Sequence, residues 1–299
     1  MSAQRLLLDV SSLMYRAFFA MGDTMSTPDG KPIGAVHGYL DMVARLIAKR
    51  RPSEIVHCYD HEWRPTERTD MYPGYKANRP PEPEGLPEQF VLLRRVLDLT
   101  GMTEAQTLGW EAEDAMAAFC AEAHEDDRIE MVSGDRDLIQ LVRDPVVKLL
   151  YTVRGVSDLR DFDEAGVSAK YGVPPQRYID FAILRGDPSD ALPGVKGVGE
   201  KTALALVLAY PDLGAMLDAA ATEPIDGPLS KPSLRTKLLD ARDYIVIMLE
   251  LVPAKWDAPL EIWGGDRDDA ALQELADELG IRGPVQRLLA ALDTGPIGN

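Results

Sequence analysis

The stretch RIEMVSGDRD, Arg128 to Asp137, reads as a short aliphatic strand over Arg128 to Ser133 that runs into two aspartates, Asp135 and Asp137. An apolar run of this length, bounded by polar and turn residues, fits a strand buried on both faces of a parallel sheet. Two further runs share the form: Arg5 to Leu8, ending at Asp9, and Glu54 to Tyr59, ending at Asp60. Helix-period patterns lie between and after them, AVHGYLDMVARLIAKR from Ala35 and EQFVLLRRVLDLTG from Glu88. This order predicts an α/β fold, a Rossmann-like and mostly parallel sheet flanked by helices. Ligands of such sheets bind beyond the carboxyl ends of the strands, so Asp9, Asp60, Asp135 and Asp137 are expected on one rim.

A second stretch, GWEAEDAMAAFCAEA from Gly109 to Ala123, crowds Glu111, Glu113 and Asp114 into four residues at the mouth of a small-residue helix. Acids favour a first helical turn, and a strand-end aspartate often caps the next helix, so each acid alone has an ordinary explanation. In a helix Glu111 and Asp114 share a face; in extended chain Glu111 and Glu113 do; at a loop-to-helix junction all three converge. Converging carboxylates repel unless a cation sits among them. Hard oxygen donors without His or Cys point to Mg²⁺ or Mn²⁺ over zinc. His57 and His61 straddle a strand end and read as incidental.

The net charge of −17 over 299 residues would ordinarily argue against a nucleic-acid partner. Its location weakens that argument. Residues 256–299 carry nine acids against three arginines, and much of the remaining excess lies in the acids assigned to one site, where bound cations would offset it. Cys58 and Cys120 sit in apolar surroundings with no CxxC pairing, which fits reduced core thiols. No apolar run has the length of a signal peptide core or a membrane span, so the chain reads as cytoplasmic.

Further on, FAILRGDPSDALPGVKGVGEKTALALVLAY, Phe181 to Tyr210, brings Asp187 and Asp190 in a loop leaving one helix. A Gly197-Val198-Gly199 turn flanked by Lys196 and Lys201 then feeds a second helix. Glycines let backbone approach a phosphate, and the free N–H groups of a helix start offer it hydrogen bonds. Tight helix-helix connections also use glycine, so the turn gains weight from its acids and lysines.

The pieces LLLDVSSLMYRAFFA, YD at 59–60, YPGYKANRP at 72–80, GWEAEDA, SGDRDLIQLV and GDPSDALPGVKGVGEKTA, in this order, resemble the bacterial and phage 5'-nucleases, also called flap endonucleases or 5'-3' exonucleases. The similarity runs from about residue 5 to 292. It implies a PIN-like fold, a divalent-metal phosphodiesterase acting on DNA with 5' ends or 5' flaps, and a helix-three-turn-helix element that binds duplex. It also implies K⁺ at the Gly197–Gly199 turn and a monomer. By position, Asp9, Asp60, Glu111, Glu113, Asp114, Asp135, Asp137, Asp187 and Asp190 match metal-site acids. Lys76 and Arg79 match the basic residues that approach the scissile phosphate. Arg68, with Lys196, Gly197, Gly199 and Lys201, matches DNA-contacting positions. The chain departs from the bacterial pattern at Glu113, where Asp is usual, at Thr66-Glu67-Arg68 for Thr-Phe-Arg, and at Asp9-Val10 for Asp-Gly.

The resemblance divides the chain into a catalytic region (1–175), a helix-three-turn-helix region (176–255), and acidic C-terminal helices packing back with a flexible tail (256–299). With no polymerase portion in the sequence, a stand-alone nuclease is expected. Residues 61–87 hold the arch position of the family, yet six prolines there leave no proline-free run longer than Thr66 to Tyr72. Helices under roughly 12 residues are marginal and an internal proline costs about 3 kcal/mol. An irregular, mobile loop presenting Arg68, Lys76 and Arg79 is therefore expected in place of a tall arch. Three rivals fit less well. A haloacid-dehalogenase-like phosphatase needs an Asp where Ser11 stands. A PIN-type ribonuclease typically lacks the GVGEKTA element, and a non-catalytic DNA-binding module has no use for nine site carboxylates.

Overall fold

A computed structural model describes residues 4–222 and 227–294. Its strands are β1 (Gln4–Asp9), β2 (Glu54–Tyr59), β3 (Thr103–Thr107), β4 (Arg128–Ser133), β5 (Val147–Arg154), β6 (Asp158–Phe162) and β7 (Leu260–Trp263), in one sheet of order β6-β5-β4-β1-β2-β3-β7. The five inner strands are parallel and both edge strands antiparallel. Register levels the strand ends, with Asp9 opposite Cys58 and Leu8 opposite Val132, so Asp9, Asp60 and Asp135 leave the sheet along one edge.

Alternation along the strands divides the core in two, since successive side chains point to opposite faces. Leu6 and Leu8 join one cluster while Leu7 joins the other. The first cluster is covered by α1 (Val10–Met21), α2 (Gly34–Arg50), α4 (Leu86–Leu97), α12 (Asp269–Leu279) and α13 (Arg282–Thr294); α3 (Thr66–Met71) lies at the rim. The second is covered by α5 (Ala112–Ala121) and α6 (Glu164–Tyr171). It continues through α7 (Tyr178–Arg185), α8 (Glu200–Ala209), α9 (Leu213–Ala221), α10 (Pro232–Asp240) and α11 (Arg242–Leu251). The chain thus leaves the sheet at α7, builds a helical region, and returns through β7, which pairs with β3, and α13, which packs on α2. The flexible tail expected at the C-terminus falls at 295–299, outside the described residues. Among the described residues no single helix is long and apolar enough to cross a membrane.

The connection between α7 and α8 needs glycine twice. Gly186 and Gly194 both have positive φ (85° and 68°), and a Cβ on Gly194 would lie 2.5 Å from the Gly186 nitrogen. That crossing folds Asp187 and Asp190 back toward the rim.

Residues 61–85 hold one helix, α3, inside the proline-free run and preceded by Pro65. The segment is irregular otherwise, but it is docked: the Lys76 amide donates to the Asp190 carbonyl (2.9 Å) and Asn78 Nδ2 to the Pro188 carbonyl (2.9 Å). Tyr75 and Lys76 are buried.

Candidate metal and phosphate site

At the rim an open cavity of about 460 Å³ is lined by Asp9, Asp60, Glu111, Glu113, Asp135 and Asp190, and also by Lys76, Arg79, Tyr15 and Trp63. Carboxylate oxygens of Glu113, Asp135 and Asp137 all lie within 4.8 Å of one another. Asp9 caps α1 through Ser12 N (2.9 Å) with one oxygen and accepts from Ser133 Oγ (2.5 Å) with the other. It is thus both a cap and a wall of the cavity. Asp60 accepts from the Ala112 amide (2.8 Å), and Asp187 from Arg136 (3.1 Å) and Ser189.

The junction reading holds for the acidic helix mouth. Glu111 is the extended residue before α5, and the Asp114 carboxylate accepts from its amide at 2.9 Å. The cation among the three carboxylates is Arg68. Its Nη1 donates to Glu111 and Asp114 (2.8 Å each), its Nη2 to Glu113 (2.6 Å) and Asp114 (3.0 Å), and its Nε to the Leu251 carbonyl (3.1 Å). The set of acceptors matches a guanidinium's five N–H donors. Glu111 also accepts from the Tyr75 hydroxyl (2.7 Å) and the Lys76 ammonium.

Two expectations are corrected here. Arg68 is 1% exposed with its donors directed to acids and a carbonyl, so it has no surface to offer DNA. Asp114 is 0% exposed and committed to Arg68, the Glu111 amide and the Lys255 amide (2.7 Å). It stands behind the cavity, without a free oxygen face for a metal. The other acids lie together at the rim, Asp137 and Asp187 just outside the cavity lining. Neither histidine joins them: His57 is buried against the Tyr39 hydroxyl (2.6 Å), and His61 Nδ1 accepts from the Gly109 amide (3.1 Å).

Nine carboxylates meet four cations in direct contact, Arg68, Lys76, Arg79 and Arg136, which leaves a surplus of negative charge. The titrations reflect it. Burial, then Asp60, pushes Asp9 up to about 7, and burial pushes Asp190 up to about 6. Burial also raises Asp60, Glu113 and Asp137. Glu111 moves the other way, because Lys76 and Arg68 outweigh the cost of burial and hold it at about 2. Buried surplus carboxylates with oxygen donors at close quarters fit hard divalent cations.

A stability prediction follows from the sign. A carboxyl raised from 3.8 to about 7 contributes stability that is complete below pH 3.8 and lost as pH rises through 7. The metal-free protein should therefore melt at a lower temperature at pH 8 than at pH 5, and a divalent cation should raise its Tm more at pH 8. Equal cation-induced shifts at both pH values would refute the charge surplus.

The glycine turn does not line the acidic cavity. Lys196, Gly197, Gly199 and Lys201 are exposed while Val195 and Val198 anchor the turn in the core. Several residues escaped the sequence reading. Arg136 stands between two acids and pairs with Asp187; Tyr15 and Trp63 stack at 5.2 Å, and Arg79 lies over Trp63 at 5.1 Å. Lys237 reaches the Gly197 carbonyl (3.2 Å) from α10. Of these only Arg136 had a local signal, its place inside SGDRD.

Two family descriptions match in succession: the N-terminal resolvase-like domain of 5'-3' exonucleases over residues 4–172, and the C-terminal SAM fold of 5'-3' exonucleases over 173–277. A 5'-3' exonuclease of Streptomyces coelicolor is 40% identical over 96% of this chain and 99% of its own, and one of Mycobacterium tuberculosis 39% identical over 99% and 100%. DNA polymerase I of Mycobacterium bovis is 36% identical, the match covering 96% of this chain and 32% of the polymerase. Among solved structures, the bacteriophage T5 5'-exonuclease with bound zinc has a TM-score of 0.66 at 18% identity, covering 97% of this chain and 98% of its own. Human GEN1 bound to Holliday junction DNA has a TM-score of 0.64 at 16% identity, covering 98% and 73%. With the acids gathered at the strand ends and both halves of the chain matched, the protein belongs to the 5'-3' exonuclease family.

Proposed function

We propose that the protein is a structure-specific 5'-3' nuclease that hydrolyses phosphodiesters at DNA 5' ends and 5' flaps, using Mg²⁺ or Mn²⁺. The observation that carries this reading is the surplus of carboxylates opening on one cavity, with Lys76 and Arg79 set among them in its lining. Asp9, Asp60, Glu113, Asp135 and Asp137 are the residues to hold the cations, with Glu111, Asp187 and Asp190 beside them. Bound there, two divalent ions would activate a water and stabilise the attacking and leaving oxygens. The chain's own part is to place charge. Lys76 is buried and tied to Glu111, and burial against its charge is outweighed by Glu111 and Asp190, so it stays protonated. A fixed ammonium facing the phosphate stabilises developing negative charge without reorganisation. Arg79, braced on Trp63, lies within 3.8 Å of Asp190.

We read residues 1–175 as the catalytic region, 176–255 as the helical DNA-binding region and 256–299 as the returning segment, in a monomeric cytoplasmic protein. The Gly197–Gly199 turn, with Lys196 and Lys201, is the duplex contact. The Gly197 carbonyl already accepts from the Lys237 ammonium, so we assign no K⁺ to that oxygen.

Digestion of a 5'-labelled flap duplex with and without Mn²⁺ tests the reading; absence of metal-dependent cleavage would end it. Two variants should separate binding from chemistry. Lys201→Ala should weaken duplex binding and lower its salt slope by about one. Lys76→Ala should lower kcat with little change in KM. Loss of affinity alone in both would make Lys76 a positioning contact.

A further inference from the structure

Arg68 touches more of the molecule's functional parts than any other buried cation among the described residues. It belongs to α3, in the segment that docks on the 187–190 loop. Its guanidinium holds both metal-site acids of the helix mouth, Glu111 and Glu113, and it hangs by Nε from the Leu251 carbonyl at the last residue of α11. Asp114 completes the bracket from behind. Its two oxygens accept from Nη1 and Nη2 (2.8 and 3.0 Å) in the bidentate geometry that fixes a guanidinium plane. One oxygen also accepts from the Glu111 amide and the other from the Lys255 amide, just beyond α11. The ring of Trp110 covers the guanidinium at 5.4 Å and that of Tyr75 lies 5.9 Å away. One segment of the helical region, the end of α11 with the residues just after it, thus meets both members of the buried pair that orients the acids.

We propose that Arg68 and Asp114 form a positioning bracket for the metal site: Arg68 sets the Glu111 and Glu113 carboxylates in ligand geometry, Asp114 fixes Arg68, and the pair couples α11 to the site. The inference rests on the proposed metal-dependent nuclease. Neither residue touches metal or DNA. Outer partners of this kind typically tune metal affinity by about 10- to 100-fold. Losing the bracket frees Glu113 to turn away from Asp135 and Asp137, while the surface that meets duplex stays as it was.

The test measures Mn²⁺ binding by calorimetry on the full chain without DNA, for the wild type, Asp114→Asn, Arg68→Lys and Arg68→Gln. Asp114→Asn keeps the shape and removes the charge that aligns the guanidinium, so it remains informative should the Arg68 variants fail to fold. Each folded variant should bind Mn²⁺ at least tenfold more weakly, and excess Mn²⁺ should recover much of the lost kcat. Metal-free affinity for duplex and its salt slope should stay at wild-type values. Mn²⁺ affinity within twofold of wild type in Asp114→Asn would overturn the bracket. So would a salt slope reduced by about one in Arg68→Gln, the mark of a lost phosphate contact. Failure of the wild type itself to bind Mn²⁺ would instead refute the metal-dependent reading on which the bracket rests.

Discussion

Asp137→Asn should cut kcat on the order of 10³-fold while raising the melting temperature of the metal-free protein. Glu113, Asp135 and Asp137 bring their oxygens within 4.8 Å of one another, and burial, then Asp135, raises the Asp137 carboxyl well above its ordinary range. The chain folds against this repulsion, so a neutral isostere relieves it, and its amide group finds carboxylate acceptors on both sides. Catalysis loses what stability gains, because a charged oxygen ligand is replaced by a weak one where transition-state charge is stabilised. Melting curves in EDTA and single-turnover rates at saturating Mn²⁺ measure the two effects. A variant that is both slower and less stable would point to a scaffolding role for Asp137.

Arg68→Ala should have the largest effect on stability, about 3–5 kcal/mol, because it strands buried carboxylates without their cation. For a chain of this size that corresponds to roughly 5–8 °C in Tm. The loss should shrink as pH falls, since the stranded acids can then take up protons. Adding Asp114→Asn to Arg68→Ala should recover part of it for the same reason. A Tm within about 2 °C of wild type at pH 7 would show that water or Lys76 compensates, and the guanidinium would not be the keystone charge.

Three inner strands and the acids at their ends were legible because parallel strands buried on both faces leave uninterrupted aliphatic runs. β3 was not, because TEAQT places polar residues in the sheet. Its Glu104 is buried opposite His57 and accepts from the Tyr59 hydroxyl at 2.6 Å, a pairing that only the neighbouring strand explains. β7 escaped for a similar reason: it is four residues long and is a strand only because β3 lies beside it. The acids near the site were readable as a set, but the side of each was not. Asp114 and Glu113 are adjacent in sequence and both accept from Arg68, but only Glu113 also lines the cavity, while both oxygens of Asp114 are spent on Arg68 and two backbone amides. The burial of Arg68 had no local signal at all, since three of the groups that accept from it arrive from residues 111–114 and the fourth from residue 251.

The return of the chain through β7 and α13 has a mechanical consequence. A region joined to its neighbour by a single linker can swivel, whereas α7 to α11 are strung between β6 and α6 on one side and β7 on the other. Tied at two points and through the core they share with the sheet, these helices are held in register with the acids. A segment fused beyond α13 would begin on the α2 face of the sheet, opposite the face on which α7 to α11 continue the core.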